Sequence, residues 1–146
     1  MDVKEYLQQA CLLDRRINFN LRQMQEMKSG LCGLSSPQMD AAKVQTSRNG
    51  DAPFVKALLR VEEMQERINR ETDLLVELQQ QISEVIHSLP SEKQQMVLLY
   101  RYVETRTWEE IGNLLGVGKS TAKRWHTEAL RKLRLPENPI QIRGVW

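Results

Sequence analysis

From Phe54 to Leu89 the chain repeats apolar residues at alternating spacings of three and four: Phe54, Ala57, Val61, Met64, Ile68, Leu75, Leu78, Ile82, Val85 and Leu89, with Glu71 as the one polar interruption. A stripe of this period, sustained over about five heptads, specifies a helix that must be covered by another helix along most of its length. A second stripe, Val3, Leu7, Ala10, Leu13, Ile17, Leu21 and Met24, predicts an amphipathic helix from Asp2 to about Lys28, roughly seven turns long. The first helix either folds back on the second as an antiparallel hairpin or leaves it to a second copy of the chain. Because the second helix is longer by roughly ten residues, a hairpin leaves part of the stripe uncovered, and a homo-oligomer is expected. The alternative is that the end of the stripe packs on the C-terminal part of the same chain.

Between the two stripes lies SGLCGLSSPQMDAAKVQTSRNGDAP, which is rich in Gly, Ser, Pro and Asn. This composition breaks regular structure and predicts a flexible loop over 29–53. Leu89-Pro90-Ser91 reads as the boundary of the helical module 1–89: proline restricts Leu89 away from the helical region, and Ser91 can cap a new helix. That helix carries Met96, Leu99, Tyr100 and Val103 as its apolar side.

Aromatic residues make up only 5% of the 146 residues, and Leu, Gln, Glu and Arg dominate instead, a balance that favours helices over sheets. The net charge is +2 but uneven: residues 91–146 hold 10 basic and 6 acidic side chains, and Lys119 to Arg134 holds six basic residues against Glu128 alone. A polyanion is the natural partner for such a segment. Cys11 and Cys32 have no Cys or His nearby at metal-ligand spacing, which argues against a zinc site and for free thiols in a reducing compartment. No apolar run is long enough to span a bilayer, and the start MDVKEYLQQACLLDRR lacks the apolar core of a signal peptide, so a cytoplasmic location away from membranes is expected. Neither paired carboxylates, a nucleophile with its base nor a metal-ligand cluster is present, so no catalytic residue, metal or cofactor is expected and an enzyme is the least favoured class.

The stretch GVGKST, Gly116 to Thr121, shares letters with a phosphate-binding loop. The glycine that such a loop requires five positions before Gly118 is Asn113, and the preceding WEEIGNLL has helical rather than strand spacing. The stretch reads instead as the turn between two helices. Thr107-Trp108-Glu109-Glu110 is a capping box that opens the first, with Ile111, Leu114 and Leu115 as its buried face. Gly112 allows close approach, Gly116 turns the chain, and Val117 tucks into the core. In the second helix Ala122, Trp125, Ala129 and Leu133 share an inner side, while Ser120, Lys123, Arg124, Thr127 and Arg131 lie opposite. Hydroxyls beside lysine and arginine suit the major groove of DNA, and Thr107 and Trp108 would lie near the DNA backbone. A solvated basic face is the bland alternative. His126 borders the inner side and reads as a surface or capping residue.

The segment LPSEKQQMVLLYRYVETRTWEEIGNLLGVGKSTAKRWHTEALRKLR resembles region 4 of bacterial sigma-70 factors, the domain that reads the promoter −35 element. The chain as a whole, including MDVKEYLQQACLLDRRIN and VQTSRNGDAP, resembles a family of small phage and prophage proteins that includes ArpU-like transcriptional regulators. The resemblance implies that the −35 contacts fall on Lys119, Ser120, Thr121, Lys123 and Arg124. The sequence departs from the sigma pattern at Gly118, where the recognition helix is usually capped by Ser or Thr, and nothing in it resembles sigma region 2.

The expected architecture is therefore all-α: a long helical hairpin or coiled coil over 1–89, a sigma-region-4-like helix-turn-helix over 90–135 and a tail over 136–146, in which Ile140, Ile142, Val145 and Trp146 dock on the protein's own core or, as the alternative, on a partner. The expected function is sequence-specific transcriptional regulation of phage or prophage type. Double-stranded DNA is the expected partner, with RNA polymerase and a second copy of the chain beside it. The alternatives are a DNA-packaging subunit of small-terminase type and a protein-interaction module without DNA binding.

Overall fold

The computed structural model describes residues 1–34 and 40–144, with side chains outside 32–51. Among these residues the chain is all-α, as expected. Two long helices, α1 (Val3–Leu34) and α2 (Asp40–His87), precede α3 (Glu92–Leu98), a π-helical turn (Leu99–Val103), α4 (Trp108–Leu115) and α5 (Lys119–Lys132). No described helix is long and apolar enough to cross a membrane.

The long helices correct the expected loop over 29–53. α1 runs on through Ser29 and Gly30 to Leu34, and α2 begins at Asp40 and carries Pro53 inside it. A glycine in a helix costs roughly 1 kcal/mol and a proline roughly 3, and both stand exposed on helices that continue through them. Ser29 turns its hydroxyl back to the Gln25 carbonyl at 3.1 Å, satisfying within the helix the group that would otherwise favour a turn. The part of the expected loop over 35–39 lies outside the described residues.

The chain forms two compact units, Met1–Arg15 with Asp73–Trp146, and Arg16–Thr72. The division passes through α1 and α2 rather than at Leu89-Pro90. Leu89 is buried, and its carbonyl accepts from the Gln95 side chain, so contacts across the expected boundary are continuous.

In the second unit, Ile17 and Met24 of α1 and Val61 and Ile68 of α2 are buried. Here α1 supplies the antiparallel cover that the stripe demands. Glu71, the break in that stripe, meets Arg16 Nε at 3.2 Å, so the polar interruption in α2 is matched by a cation in α1.

In the first unit Tyr6, Leu7 and Leu13 of α1 and Leu78, Ile82 and Ile86 of α2 are all sealed from solvent. Each contributes on the order of 1.5–3 kcal/mol. The stripe turns slightly relative to expectation: Ile86 is fully buried and Val85 only partly. The tail closes this unit through two glutamines. Gln9 Nε2 donates to the Ile140 carbonyl at 2.9 Å, and its Oε1 accepts from the Ile142 N–H at 2.9 Å. Gln81 Oε1 accepts from the Tyr6 hydroxyl at 2.7 Å and the Ile140 N–H at 3.0 Å, and Gln81 Nε2 donates to the Asn138 carbonyl at 2.9 Å. Ile142 is buried, as own-core docking requires, whereas Val145 and Trp146 lie outside the described residues.

Candidate nucleic-acid interface

α3 starts where Ser91, in an extended conformation, accepts from Gln94 N–H. Its buried side differs from the expected one: Val97, Leu98 and Tyr102 are buried, while Met96, Leu99, Tyr100 and Val103 are only half-buried. Within the π-helical turn the burial of Tyr102 follows from the i→i+5 geometry, which rotates residues relative to an α-helical register, whereas Val97 and Leu98 are buried already in α3.

α4 is capped by Thr107, whose hydroxyl accepts from Glu110 N–H at 3.2 Å. The reciprocal half of the expected box gives way to an ion pair: the Glu110 carboxylate lies 3.5 Å from Arg106. Gly116 ends the helix in the left-handed conformation at φ 69° and ψ 31°, the geometry for which glycine was expected. Gly112 also answers a close approach, though not of a neighbouring helix. A Cβ there would lie 2.7 Å from the Val117 carbonyl oxygen, because the turn folds back over α4 and Val117 N–H donates to the Gly112 carbonyl at 2.9 Å. Leu114, expected in the core, is 51% exposed, and Val117 is only half-buried against the core formed by Val97, Ile111 and Ala122. Eight residues of α4 give barely two turns, so Ile111 and Leu115 fill the contact and Leu114 falls beside it.

α5 follows Gly118, which stands in extended conformation without a side-chain cap. Ala122 and Ala129 are fully buried and Leu133 nearly so, which seats the helix closely on α3 and α4. Trp125 packs half-buried against the same core, with Lys93 Nζ 5.3 Å from its ring centroid. The opposite side presents Lys119, Ser120, Lys123, Arg124, Thr127 and Arg131 to solvent, while Thr121 is half-buried. Thr127 turns its hydroxyl to the Lys123 carbonyl at 3.1 Å, leaving its oxygen to accept. Thr107 stands exposed at the start of α4, its oxygen used by the cap and its O–H open to an acceptor. The arrangement is a continuous face of cations and hydroxyls on one rigid helix, which is what reading base edges and phosphates requires.

Sequence reasoning placed Trp108 and His126 only loosely. Trp108 is half-buried: the Arg101 guanidinium lies over its ring at 4.8 Å and the His126 ring meets it edge-on at 4.9 Å. His126 also stacks on Tyr102 at 5.6 Å, and the Tyr102 hydroxyl meets its Nε2 at 2.7 Å. Burial, helped by the charges of Lys4 and Arg101, lowers the His126 pKa to about 4. Burial likewise pushes the Tyr102 hydroxyl up to about 12 and raises the Cys11 thiol. Cys11 is free and faces the Arg101 and Tyr102 carbonyls. Among the described residues no cluster of His, Cys, Asp and Glu is placed to hold a metal ion.

Comparison with known proteins matches residues 85–135 to the family "Sigma-70, region 4". The chain is 40% identical over 58 residues to RNA polymerase sigma factor FliA of Salmonella typhimurium, an alignment covering 40% of this chain and 24% of that protein. It is 40% identical over 57 residues to FliA of Yersinia enterocolitica, covering 39% and 24%, and 39% identical over 57 residues to FliA of Escherichia coli K12, covering 39% and 23%. The chain thus spans about a quarter of the length of these curated relatives. No solved structure matches it significantly. Residues 85–135, with their capped α4, left-handed glycine turn and exposed basic α5, form a sigma-70 region-4-like helix-turn-helix domain.

Proposed function

We propose that this chain is a sequence-specific DNA-binding regulator of transcription, of phage or prophage type, that reads promoter DNA with α5. The observation that carries the reading is the exposed row of Lys119, Ser120, Lys123, Arg124, Thr127 and Arg131 on the second helix of a region-4-like helix-turn-helix. In the docking common to such motifs, α5 enters the major groove and the start of α4, with Thr107, faces the sugar-phosphate backbone. Thr121, at the half-buried edge of the row, borders the same groove.

The phage assignment rests on the resemblance of the long N-terminal helices and the whole chain to small prophage regulators. RNA polymerase is a further partner by analogy with the sigma factors to which residues 85–135 are similar. Pairing two copies through the long helices would place two reading heads on repeated half-sites and multiply affinity without new base contacts.

The test is to incubate the purified protein with fragmented DNA of its own genome at near-physiological salt and sequence what is retained. Enrichment upstream of a transcription unit supports the regulator. Enrichment at a packaging site, or no enrichment, overturns it.

A further inference from the structure

One face of α1 carries Lys4, Gln8, Cys11 and Arg15 at the spacing i, i+4, i+7 and i+11, and this face lines a groove of about 750 Å³. The other wall is the helix-turn-helix itself, through Arg101, Trp108 and His126. Three cations, Lys4, Arg15 and Arg101, face this space against one carboxylate, Asp14. Lys4 lies near enough to α5 for its charge to act on His126. The cations of the groove therefore come from α1 and the π-helical turn, and they stand beside Trp108 of α4 and His126 of α5.

We propose that this groove is a second, sequence-independent DNA contact, in which Lys4, Arg15 and Arg101 hold the phosphate backbone of the duplex beyond the stretch read by α5. The inference rests on the DNA-binding reading above and adds to it a helix outside the region-4-like domain. Two features decide for a backbone over a small aromatic anion. One face of each ring in the groove is already used, Trp108 by the Arg101 guanidinium and His126 by Tyr102, and the two rings meet each other edge-on, which leaves little room to stack a base. What remains is charge, on the exposed stems of Lys4 and Arg15 and on the Arg101 guanidinium held over Trp108. The 11 positions from Lys4 to Arg15 spread that charge over about 16 Å of helix, on the order of five nucleotide rises along one strand. Position agrees with chemistry: Trp108 is the first residue of α4, the end that helix-turn-helix motifs set against the sugar-phosphate chain. A strand passing Thr107 has the groove beside it.

The experiment compares wild type, Lys4→Ala/Arg15→Ala and Lys123→Ala/Arg124→Ala on a long mixed-sequence duplex and on the strongest genomic fragment, between about 50 and 200 mM salt. Lys4 and Arg15 are exposed, so the variant should keep the wild-type melting temperature, and a Lys4→Gln/Arg15→Gln version guards against an effect of the truncated stems. Each phosphate contact contributes about 0.9 to the slope of log K against log salt, so the expected result is a slope shallower by about 2 with unchanged preference between sequences. Trimming the duplex to the stretch covered by α5 should abolish the difference between this variant and wild type. A wild-type slope for the α1 variants on the long duplex overturns the groove contact. If, in that case, Lys123→Ala/Arg124→Ala still loses sequence preference, reading by α5 stands and the groove alone fails. If wild type binds neither duplex, both readings fall.

Discussion

The side-chain amide of Gln9, 1% exposed on α1, pairs with the backbone of Ile142 in the tail, accepting from its N–H at 2.9 Å while donating to the Ile140 carbonyl at 2.9 Å. A single helix residue thus satisfies the tail as a neighbouring strand would, where water cannot reach. Gln9→Ala strands one donor and one acceptor, and the expected destabilisation is about 2–4 kcal/mol. Gln9→Glu keeps the acceptor for Ile142 but sets a buried carboxylate against the Ile140 and Tyr6 carbonyls, so at neutral pH it should be at least as destabilised as Gln9→Ala. Denaturant unfolding ranks the three proteins, and equal stability of wild type and Gln9→Ala would show that the clamp is idle.

The turn between α4 and α5 offers a sharper comparison. Gly116 stands at positive φ with open space where a Cβ would go, whereas a Cβ on Gly112 collides with the backbone oxygen of Val117. Gly116→Ala therefore meets only conformational strain, about 1 kcal/mol. Gly112→Ala must displace the turn that sets the angle of α5, at about 1–3 kcal/mol, and should weaken DNA binding as well. Chemical denaturation and binding of both variants check the order. Equal effects would mean that the turn yields without cost.

What the sequence made legible was local. The apolar periods marked α1 and α2, Ser91 and Thr107 announced their helices, and Gly116 its left-handed turn, because caps and turns are chemistry between residues a few positions apart. The breakers Ser29, Gly30 and Pro53 misled, since all three stand exposed on helices that continue through them and their local penalties alone do not end a long helix. The buried side of α3 falls on Val97 and Leu98 rather than Met96, and the π-helical turn after it buries Tyr102 rather than Tyr100 or Val103, a change of register that α-helical periodicity cannot anticipate. The basic face of α5 was readable from spacing alone. Lys4 and Arg15 were not, because only the fold brings α1 beside Trp108 and His126.

Glu71 against Arg16 tests why the apolar stripe is interrupted. Their side chains are 17% and 30% exposed, so each is partly desolvated and depends on the other. Glu71→Leu, which repairs the stripe, leaves Arg16 without this carboxylate and should destabilise by about 1–3 kcal/mol. Arg16→Leu/Glu71→Leu should recover most of that loss, since apolar replacement of a buried pair is often neutral or better. Thermal melts of the single and double variants decide. A single variant as stable as wild type would show that the pair adds nothing to pairing of the helices.

His126 gives the fold a pH signature. Its pKa is lowered from 6.5 to about 4, first by burial and then by Lys4 and Arg101, so the folded ring stays neutral where the unfolded one charges. A depressed folded pKa means that its stabilising effect is complete above pH 6.5 and is lost progressively as pH falls toward 4. Because the ring is only half-buried, screening limits the loss to about 1–2 kcal/mol. His126→Gln should show a flatter stability profile across this window than wild type. Parallel profiles for the two proteins would show that His126 titrates normally in the fold.

Lys123 and Arg124 carry the functional reading at the level of single side chains. Both are exposed, and neither belongs to the inner side of α5 that seats on Val97 and Ile111, so truncation should leave the fold intact. Arg can bond two acceptors on one guanine, so removing a base contact at either position should weaken specific binding by about 1–3 kcal/mol and relax the preference at the base it reads. Arg131, a full three turns from the start of α5, should behave as a phosphate contact, lowering affinity evenly across sequences. Titrating each alanine variant against the selected site and against single-base changes in it separates the two roles. Unchanged affinity and preference for both Lys123→Ala and Arg124→Ala would refute α5 as the reading helix.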